Sequence, residues 1–287
     1  MTMHAGSMRA DASAAAVAET IGVEPGFNVP DPQSLPSLKG KVSEKEWRLR
    51  CELAATYRLV ALYGWDDMIF THISARCPDE DGKPRFLINP YGVFFDEMTA
   101  SALVKVDVDG NVVAETPYFS NPAGFTIHSA IHMAREDAHC VLHLHTPYGV
   151  AVSAQKGGLK RYTQFAMVVH DDVAYHDYEG IATDLDERER LVRDLGSHGF
   201  MILKNHGTLT VGANCATAFL RMYFLEQACR AQILAQCDQE APLEESPAMA
   251  AKVLQQGAPA FTPGLGDNLA WPGLLRKLNR QNPGYDR

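Results

Sequence analysis

The chain has 287 residues, of which 46% are hydrophobic, and it carries a formal net charge of −9. A chain of this length can bury a full hydrophobic core, so we expect one large domain with appendages. The acidic balance argues against a nucleic-acid-binding surface. The sequence contains no run of about 18 apolar residues, so we also expect no membrane-spanning helix.

The six cysteines are scattered along the chain without a close Cys-x-x-Cys pair. This usage is typical of reduced thiols that pack as small hydrophobic side chains, and it indicates a cytoplasmic protein. The first residues contain alanines and serines but no compact hydrophobic block after a basic region, so we expect no signal peptide.

The chain divides into a main domain and two arms. Residues 1–42 contain an alanine tract and then four prolines, which exclude a helix or a central strand and predict an extended arm. A main domain is predicted over residues 43–240. Residues 241–287 are predicted to be a C-terminal packing arm around an amphipathic turn.

The elements of the main domain are predicted from apolar periodicity and from turn residues. The first helix is predicted to begin at Ser43, which forms a capping box with Glu46, and to end near Gly64. A hairpin is predicted over residues 105–113, with its turn at Asp109-Gly110 or Gly110-Asn111. Further strands are predicted at 68–75, 86–89 and 168–175, and further helices at 123–135, 147–155, 186–195 and 215–237. This alternation predicts an α/β sandwich with a mostly antiparallel sheet.

Two short histidine-bearing stretches follow apolar runs. His143-Leu144-His145 extends a predicted strand, and side chains two residues apart on a strand project from the same face about 6.6 Å apart. Asn205-His206-Gly207 follows the apolar run Phe200–Leu203, and its glycine is suited to a turn that needs a positive φ. The turn could deliver a third imidazole to the first pair.

Three imidazoles form a set of neutral nitrogen ligands that suits Zn, Fe, Ni or Co and leaves positions open for substrate or water. The alternative is that His143 and His145 face a polar surface and that His206 caps a turn. The spacing alone does not decide between these hypotheses.

Six short blocks in order along the chain resemble the class II aldolase and adducin superfamily over about residues 45–240. Two of the blocks are more similar to the adducin head and its bacterial relatives than to the sugar-phosphate aldolases. The blocks are Thr71–Arg76, Asn89–Gly92, His128–His132, His143–Pro147, Tyr175–Gly180 and Asn205–Gly207.

The resemblance implies a three-layer α/β/α sandwich with a central, mostly antiparallel sheet. It also implies a homotetramer whose sites lie between neighbouring subunits, and a small-molecule substrate. The divalent metal of the family is expected on His143, His145 and His206. Zinc is the expected metal, with Fe, Mn, Co and Ni as alternatives.

The chain departs from the phosphate-using aldolases of this superfamily at two places. Where those enzymes carry two serines and a glutamate, this sequence has Pro122, Ala123 and Gly124. The loop with Asn89, Tyr91 and Gly92, which we predict to bind substrate, replaces a threonine-bearing loop with a bulky phenol. A phosphorylated ketose is therefore not expected as the substrate.

Four candidates to donate or accept a proton lie around one predicted strand end, namely His170, Tyr175, His176 and Glu179. Histidine titrates in the useful pH range. The alternative is a polar loop whose tyrosines pack against the protein.

Two other polar pairs have the spacing of neighbours on one face of an element. His72 and Arg76 are predicted to share a strand face and could bind an anion, although Arg76 could equally form a structural ion pair. His128 and His132 are predicted to share a helix face as a buried, hydrogen-bonded pair.

The sequence therefore predicts a divalent-metal-dependent carbon–carbon lyase of aldolase or decarboxylase type. Its substrate is expected to be a small non-phosphorylated carbonyl compound or a hydroxy or aromatic acid. Two alternatives stay open, a non-catalytic assembly protein similar to the adducin head and a three-histidine iron oxygenase.

Overall fold

The computed structural model describes residues 28–78, 81–180, 186–262, 264 and 266–287. Residues 1–27, which include most of the predicted N-terminal arm, lie outside the described residues. Within these ranges the chain forms helices and short strands. In chain order they are α1 (Glu44–Leu62), β1 (His72–Arg76), β2 (Phe86–Ile88), β3 (Val104–Val106), α2 (Pro122–Ala134), β4 (Cys140–Leu144), α3 (Pro147–Ser153), α4 (Gln164–Val169), β5 (Val173–His176), α5 (Glu187–Leu195), β6 (Phe200–Leu203), β7 (Gly207–Gly212), α6 (Cys215–Ala235), α7 (Pro247–Gly257) and α8 (Trp271–Gln281).

The strands of the described residues form one seven-stranded sheet in the order β3-β2-β1-β4-β7-β6-β5. All neighbours pair antiparallel except β5 and β6, which are parallel. Helices α2 and α5 pack on one face of the sheet, whereas α1 and α6 pack on the other. The predicted three-layer α/β/α sandwich with a mostly antiparallel sheet is confirmed.

Strand alternation decides which side chains reach the face that α2 covers. On β1, Ile73 and Ala75 enter the core on the α1 and α6 side, so His72 and Ser74 project to the α2 side. In the pairing of β1 with β4, His72 lies opposite His143. The centre of the sheet therefore presents histidines to α2.

The start of α1 differs in part from its prediction. The Ser43 hydroxyl accepts a hydrogen bond from the Glu46 N–H at 3.2 Å, as a helix cap does. The Glu46 carboxylate instead accepts hydrogen bonds from Arg50 at 2.8 Å and Lys105 at 2.7 Å. Glu46 therefore belongs to a buried ion-pair network and does not complete the predicted capping box.

The strand predicted at 168–175 is wrong over its first half. Thr163 caps a helix there by accepting a hydrogen bond from the Ala166 N–H at 3.3 Å, and α4 follows. The chain then makes a single 3-10 turn before β5 begins at Val173. A short apolar run does not distinguish a buried helix from a strand. Here the Thr163 cap favours the helix.

The predicted hairpin at 105–113 is reduced to β3 and one isolated bridge between Val106 and Val112. The Asp107 carboxylate accepts hydrogen bonds from the N–H groups of Asp109 and Asn111 at 3.0 and 2.9 Å. These bonds close a side-chain-supported loop, so the second strand does not form.

Both terminal segments contact the main core. In the described part of the N-terminal segment, Pro30 accepts a hydrogen bond from the Tyr118 hydroxyl at 2.9 Å. At the other end, Trp271 and Leu278 of α8 are buried in the core cluster that also contains α1. None of the helices in the described residues is long and apolar enough to cross a membrane.

Candidate metal centre

Three imidazoles converge where β4 and the β6–β7 turn meet. His143 is near the end of β4, His145 follows that strand, and His206 lies in the turn. One ring nitrogen from each of the three lies within 4.8 Å of the others. The ring centroids are 4.7 to 5.1 Å apart. We call these three residues the histidine trio.

The turn that carries His206 uses its flanking residues differently from the prediction. The positive φ, 56°, falls on Asn205 and not on the following glycine. A side chain at Gly207 would place its Cβ 2.6 Å from the Leu144 carbonyl oxygen and 3.0 Å from the His145 ring. Gly207 is thus needed for close approach of the two segments, and this approach brings His206 to the other two rings.

Hydrogen bonds fix the orientation of the two β4 histidines. The Nδ1 atom of His143 lies 3.2 Å from the carbonyl oxygen of Thr208, which can only accept, so Nδ1 carries the proton. In the same way, the Nδ1 atom of His145 lies 2.8 Å from the Asp67 carboxylate. A neutral ring held in this way keeps a free lone pair on Nε2, which is how metal-binding histidines are typically oriented.

The trio fits a divalent cation. Burial first, and then the neighbouring histidines, lower the pKa of His143 well below its ordinary value. The same causes lower the pKa of His206 to about 4. Among the described residues the buried Nε2 of His145 has no hydrogen-bond partner. Three imidazole nitrogens this close together, one of them buried without a partner, suit Zn²⁺ or another transition metal.

The sequence did not predict the two groups that orient the trio, Asp67 and the Thr208 carbonyl. Asp67 comes from the loop before β1 and Thr208 from the strand paired with β4. Only the register of the sheet brings them to the histidines. The Gly64-Trp65-Asp66-Asp67 stretch carries no spacing that would have marked Asp67 as a partner of His145.

A second group of histidines is buried beneath the trio. The His72 ring centroid lies 5.2 Å from that of His143. His128 and His132 of α2 are fully buried, and the Ser74 hydroxyl lies 2.6 Å from His128 Nδ1 and 2.7 Å from His132 Nε2. The prediction of a buried, hydrogen-bonded pair on α2 is therefore confirmed, with Ser74 between the two rings.

The structure separates the predicted anion-binding pair. Arg76 shares a face with His72 but lies at the opposite end of β1, where its guanidinium stacks over Phe86 at 5.8 Å. His72 is 6% exposed beside the trio. An anion bound at one of these residues is therefore remote from the other.

The predicted substrate loop is tied to the protein by its own contacts. The Asn89 side chain accepts a hydrogen bond from the Tyr57 hydroxyl at 2.9 Å. Tyr91 packs edge-on against Phe119 with ring centroids 6.0 Å apart. Gly92 has a φ of 95°, and a Cβ there would lie 2.6 Å from Val29. The substrate-binding role of this loop stays a prediction.

The four predicted proton-transfer residues fall into two groups, because neighbours on β5 point to opposite faces. His176 and Glu179 line a small depression that also contains His206. His176 is held there by the Asp194 carboxylate at 2.8 Å, and Glu179 is bound to Arg190. The Glu179–Arg190 hydrogen bond lowers the pKa of that carboxyl.

Tyr175 and His170 line a different cavity of about 380 Å³, together with Lys156, Gly158 and Lys204. The Tyr175 hydroxyl accepts a hydrogen bond from the Leu159 N–H at 3.0 Å. Burial raises the pKa of Tyr175. Of the four candidates, His176 and Glu179 are therefore the two that share a depression with a member of the trio.

The fold and the site together define a family. The chain belongs to the family described as the Class II Aldolase and Adducin N-terminal domain, whose sequence profile matches residues 51–233. A protein of Caulobacter vibrioides provisionally named an aldolase class 2 protein is 58% identical over 87% of this chain and 96% of its own length. Alpha-adducin of Mus musculus is 45% identical over 64% of this chain, which corresponds to 25% of the adducin.

Solved structures agree with this assignment. An aldolase II superfamily protein from Pseudomonas syringae is 47% identical and superposes with a TM-score of 0.81 over 88% of this chain and 100% of its own. An L-fuculose 1-phosphate aldolase from Glaciozyma antarctica is 29% identical, with a TM-score of 0.74 over 89% of this chain and 98% of its own.

Proposed function

We propose that the protein is a divalent-metal-dependent carbon–carbon lyase of aldolase or decarboxylase type. The observation that carries the proposal is the convergence of His143, His145 and His206 within 4.8 Å. A divalent cation there would polarise a carbonyl or carboxylate oxygen and stabilise negative charge that develops on it. Zinc is the metal we favour, because three neutral imidazoles with open positions are a typical catalytic zinc set.

The residues of the chain would prepare this site before any substrate arrives. The Asp67 carboxylate and the Thr208 carbonyl hold His145 and His143 with their Nε2 lone pairs free. Because burial keeps His143 and His206 neutral at physiological pH, no proton has to leave those two rings before they bind a cation. His176 and Glu179 are the candidates for proton transfer beside His206.

A small non-phosphorylated acid is the substrate class that we propose. The first turn of α2 offers Gly124 where the phosphate-using aldolases carry a glutamate, and the space above it is filled by the His72 ring. A substrate carboxylate could bind the metal directly, and loss of carbon dioxide requires no base at the carbon that leaves. The Glaciozyma aldolase is named for a phosphorylated sugar, so phosphorylated sugars belong in the same assay.

Assembly and compartment are part of the proposal. Met68 and Phe70, exposed by 60% and 50%, follow Asp67 in the loop before β1. An apolar surface next to the trio supports a homotetramer with sites between subunits. The six cysteines are all free thiols, which supports the cytoplasm as the compartment.

A second candidate is a non-catalytic assembly protein, and the 45% identity to alpha-adducin favours it. The match covers 64% of this chain and 25% of the adducin, so it concerns only part of that protein. Co-sedimentation with actin filaments would support this candidate. We expect the protein to stay in the supernatant.

The proposal is tested by loading chelator-treated protein with Zn²⁺, Fe²⁺, Mn²⁺, Co²⁺ or Ni²⁺. Each form is then assayed with keto acids, hydroxy acids, aromatic carboxylates and sugar phosphates for release of carbon dioxide or an aldehyde. We expect release that requires metal and disappears in His143→Ala. Equal release by wild type and His143→Ala would refute the proposal. Oxygen consumption by the Fe²⁺ form would instead identify the three-histidine oxygenase.

A further inference from the structure

A continuous chain of hydrogen bonds runs from His72, beside the trio, into the core. His72 Nδ1 lies 2.9 Å from His128 Nε2. His128 Nδ1 then contacts the Ser74 hydroxyl, which contacts His132 Nε2. The last link joins His132 Nδ1 to the carbonyl oxygen of Ala138 at 2.7 Å. We call this series the histidine chain.

The hydrogens of the histidine chain can be placed in only one way when its three imidazoles are neutral. The Ala138 carbonyl only accepts, so His132 carries its proton on Nδ1 and must accept at Nε2 from the Ser74 hydroxyl. The Ser74 oxygen then accepts from His128 Nδ1. His128 Nε2 must in turn accept from His72 Nδ1. Four links use four hydrogens, and none remains for His72 Nε2.

The burial of the chain supports the neutral state on which this assignment depends. His128 and His132 are fully buried, and His132 stacks on Phe86 with centroids 4.8 Å apart and ring planes 23° apart. Burial lowers the pKa of His132 to about 3 and that of His128 well below its ordinary value. Neither ring would carry a charge at neutral pH.

The free end of the chain lies beside the trio. His72 and His143 are paired across β1 and β4, with ring centroids 5.2 Å apart. The edge of His72 that carries Nε2 faces Gly124, where a Cβ would lie 2.4 Å from that nitrogen. The hydrogen bond of His72 to His128 uses Nδ1, so Nε2 takes no part in the histidine chain. Gly124 therefore leaves this lone pair free of a covering side chain.

We propose that the histidine chain holds His72 as the Nδ1–H tautomer, so that Nε2 is a fixed hydrogen-bond acceptor for the hydroxyl of a hydroxy-acid substrate. The substrate part of this inference rests on the proposed function. A carboxylate bound at the trio would bring a neighbouring hydroxyl toward the acceptor. A substrate without that hydroxyl would leave the acceptor unpaired and would bind less tightly.

The tautomer is tested in chelator-treated protein by long-range ¹H–¹⁵N correlation of ¹⁵N-histidine-labelled samples. The His72 signals are assigned by their loss in His72→Phe. We expect an unprotonated Nε2 and a protonated Nδ1 in His72, His128 and His132. Ser74→Ala is expected to release His72 from a single tautomer. A protonated His72 Nε2 in the wild type would overturn the inference, whatever the activity.

The hydroxyl acceptor is tested by titrating zinc-loaded protein with glycolate and acetate, which differ by one hydroxyl. We expect the ratio of their affinities to fall about fivefold in His72→Phe, as the loss of one hydrogen bond predicts. An unchanged ratio would refute the acceptor role. The zinc content of both proteins is measured in parallel. Wild type that binds no zinc would refute the proposed function, whereas normal zinc content with an unchanged ratio would refute this inference alone.

Discussion

The imidazole of His72 occupies the space that any side chain at Gly124 would need. A Cβ built at Gly124 would lie 2.1 Å from Cδ2 of that ring, far closer than van der Waals contact. The first turn of α2 and the first residue of β1 are therefore matched to each other. The sequence shows the glycine but not its partner, because the two residues are joined only through the sheet.

Gly124→Ala is expected to destabilise the protein by about 1–3 kcal/mol. The new Cβ must displace the His72 ring and break the hydrogen bond between His72 and His128. This free-energy cost exceeds the stabilisation that the higher helix propensity of alanine provides. Urea unfolding measures the change. In the His72→Ala background, the same substitution should be neutral or stabilising, since the obstructing ring is gone. Equal destabilisation in both backgrounds would show that the two residues are not coupled.

Asp67→Asn is expected to weaken zinc binding about 10- to 100-fold while leaving the fold intact. The Asp67 carboxylate accepts a hydrogen bond from the Nδ1–H of His145, and partners of this kind orient metal ligands and raise their basicity. Competition with a chromophoric chelator measures the affinity. Asp66→Asn, one residue earlier, is the matched control. A similar loss in Asp66→Asn would indicate a general charge effect.

The histidine chain predicts a stability that falls with acidification. In the folded protein the pKa of His132 is lowered from 6.5 to about 3 by burial. Between these values the unfolded chain binds a proton that the folded chain excludes. The contribution of neutral His132 to the free energy of unfolding is therefore complete above pH 6.5 and is lost as the pH falls. From pH 7 to 5 this loss is about 2 kcal/mol for one such histidine.

Chelator-treated wild type and His132→Gln can be compared by urea unfolding at both pH values. The wild type should lose more stability than the variant between pH 7 and 5, by about the amount given for one histidine. Parallel losses in the two proteins would mean that His132 does not resist protonation.

Leu278→Ala is expected to cost about 2–4 kcal/mol, because this side chain of α8 is fully buried in the core cluster shared with α1. Leu269→Ala is the control. Leu269 lies just before α8 and is 70% exposed, so its loss should stay within about 0.5 kcal/mol. Equal effects would contradict the packing of the C-terminal arm on the main core.

The His143–His145 pair could be anticipated because its spacing is local information. His143 and His145 are two residues apart at the end of an apolar run, and strand alternation puts them on one face. The approach of His206 depends on Gly207, whose role was predicted incorrectly. A glycine required for close packing and a glycine required for a positive φ look the same in a sequence.

The features that sequence reasoning missed depend on long-range register. Asp67 meets His145, and Ser74 meets both α2 histidines, only because β1 pairs with β4 beneath α2. The β5 region shows a second limit. Tyr175 and His176 are neighbours in the sequence, yet strand alternation sends them to different cavities.

The metal content of the purified protein tests the central claim most directly. Protein produced in metal-replete medium is analysed by inductively coupled plasma mass spectrometry, together with His206→Ala and with His176→Ala as the neighbouring control. We predict one divalent metal ion per chain in the wild type and in His176→Ala, and almost none in His206→Ala. Folded wild type without stoichiometric metal, or full metal content in His206→Ala, would contradict the claim that the trio is a metal centre.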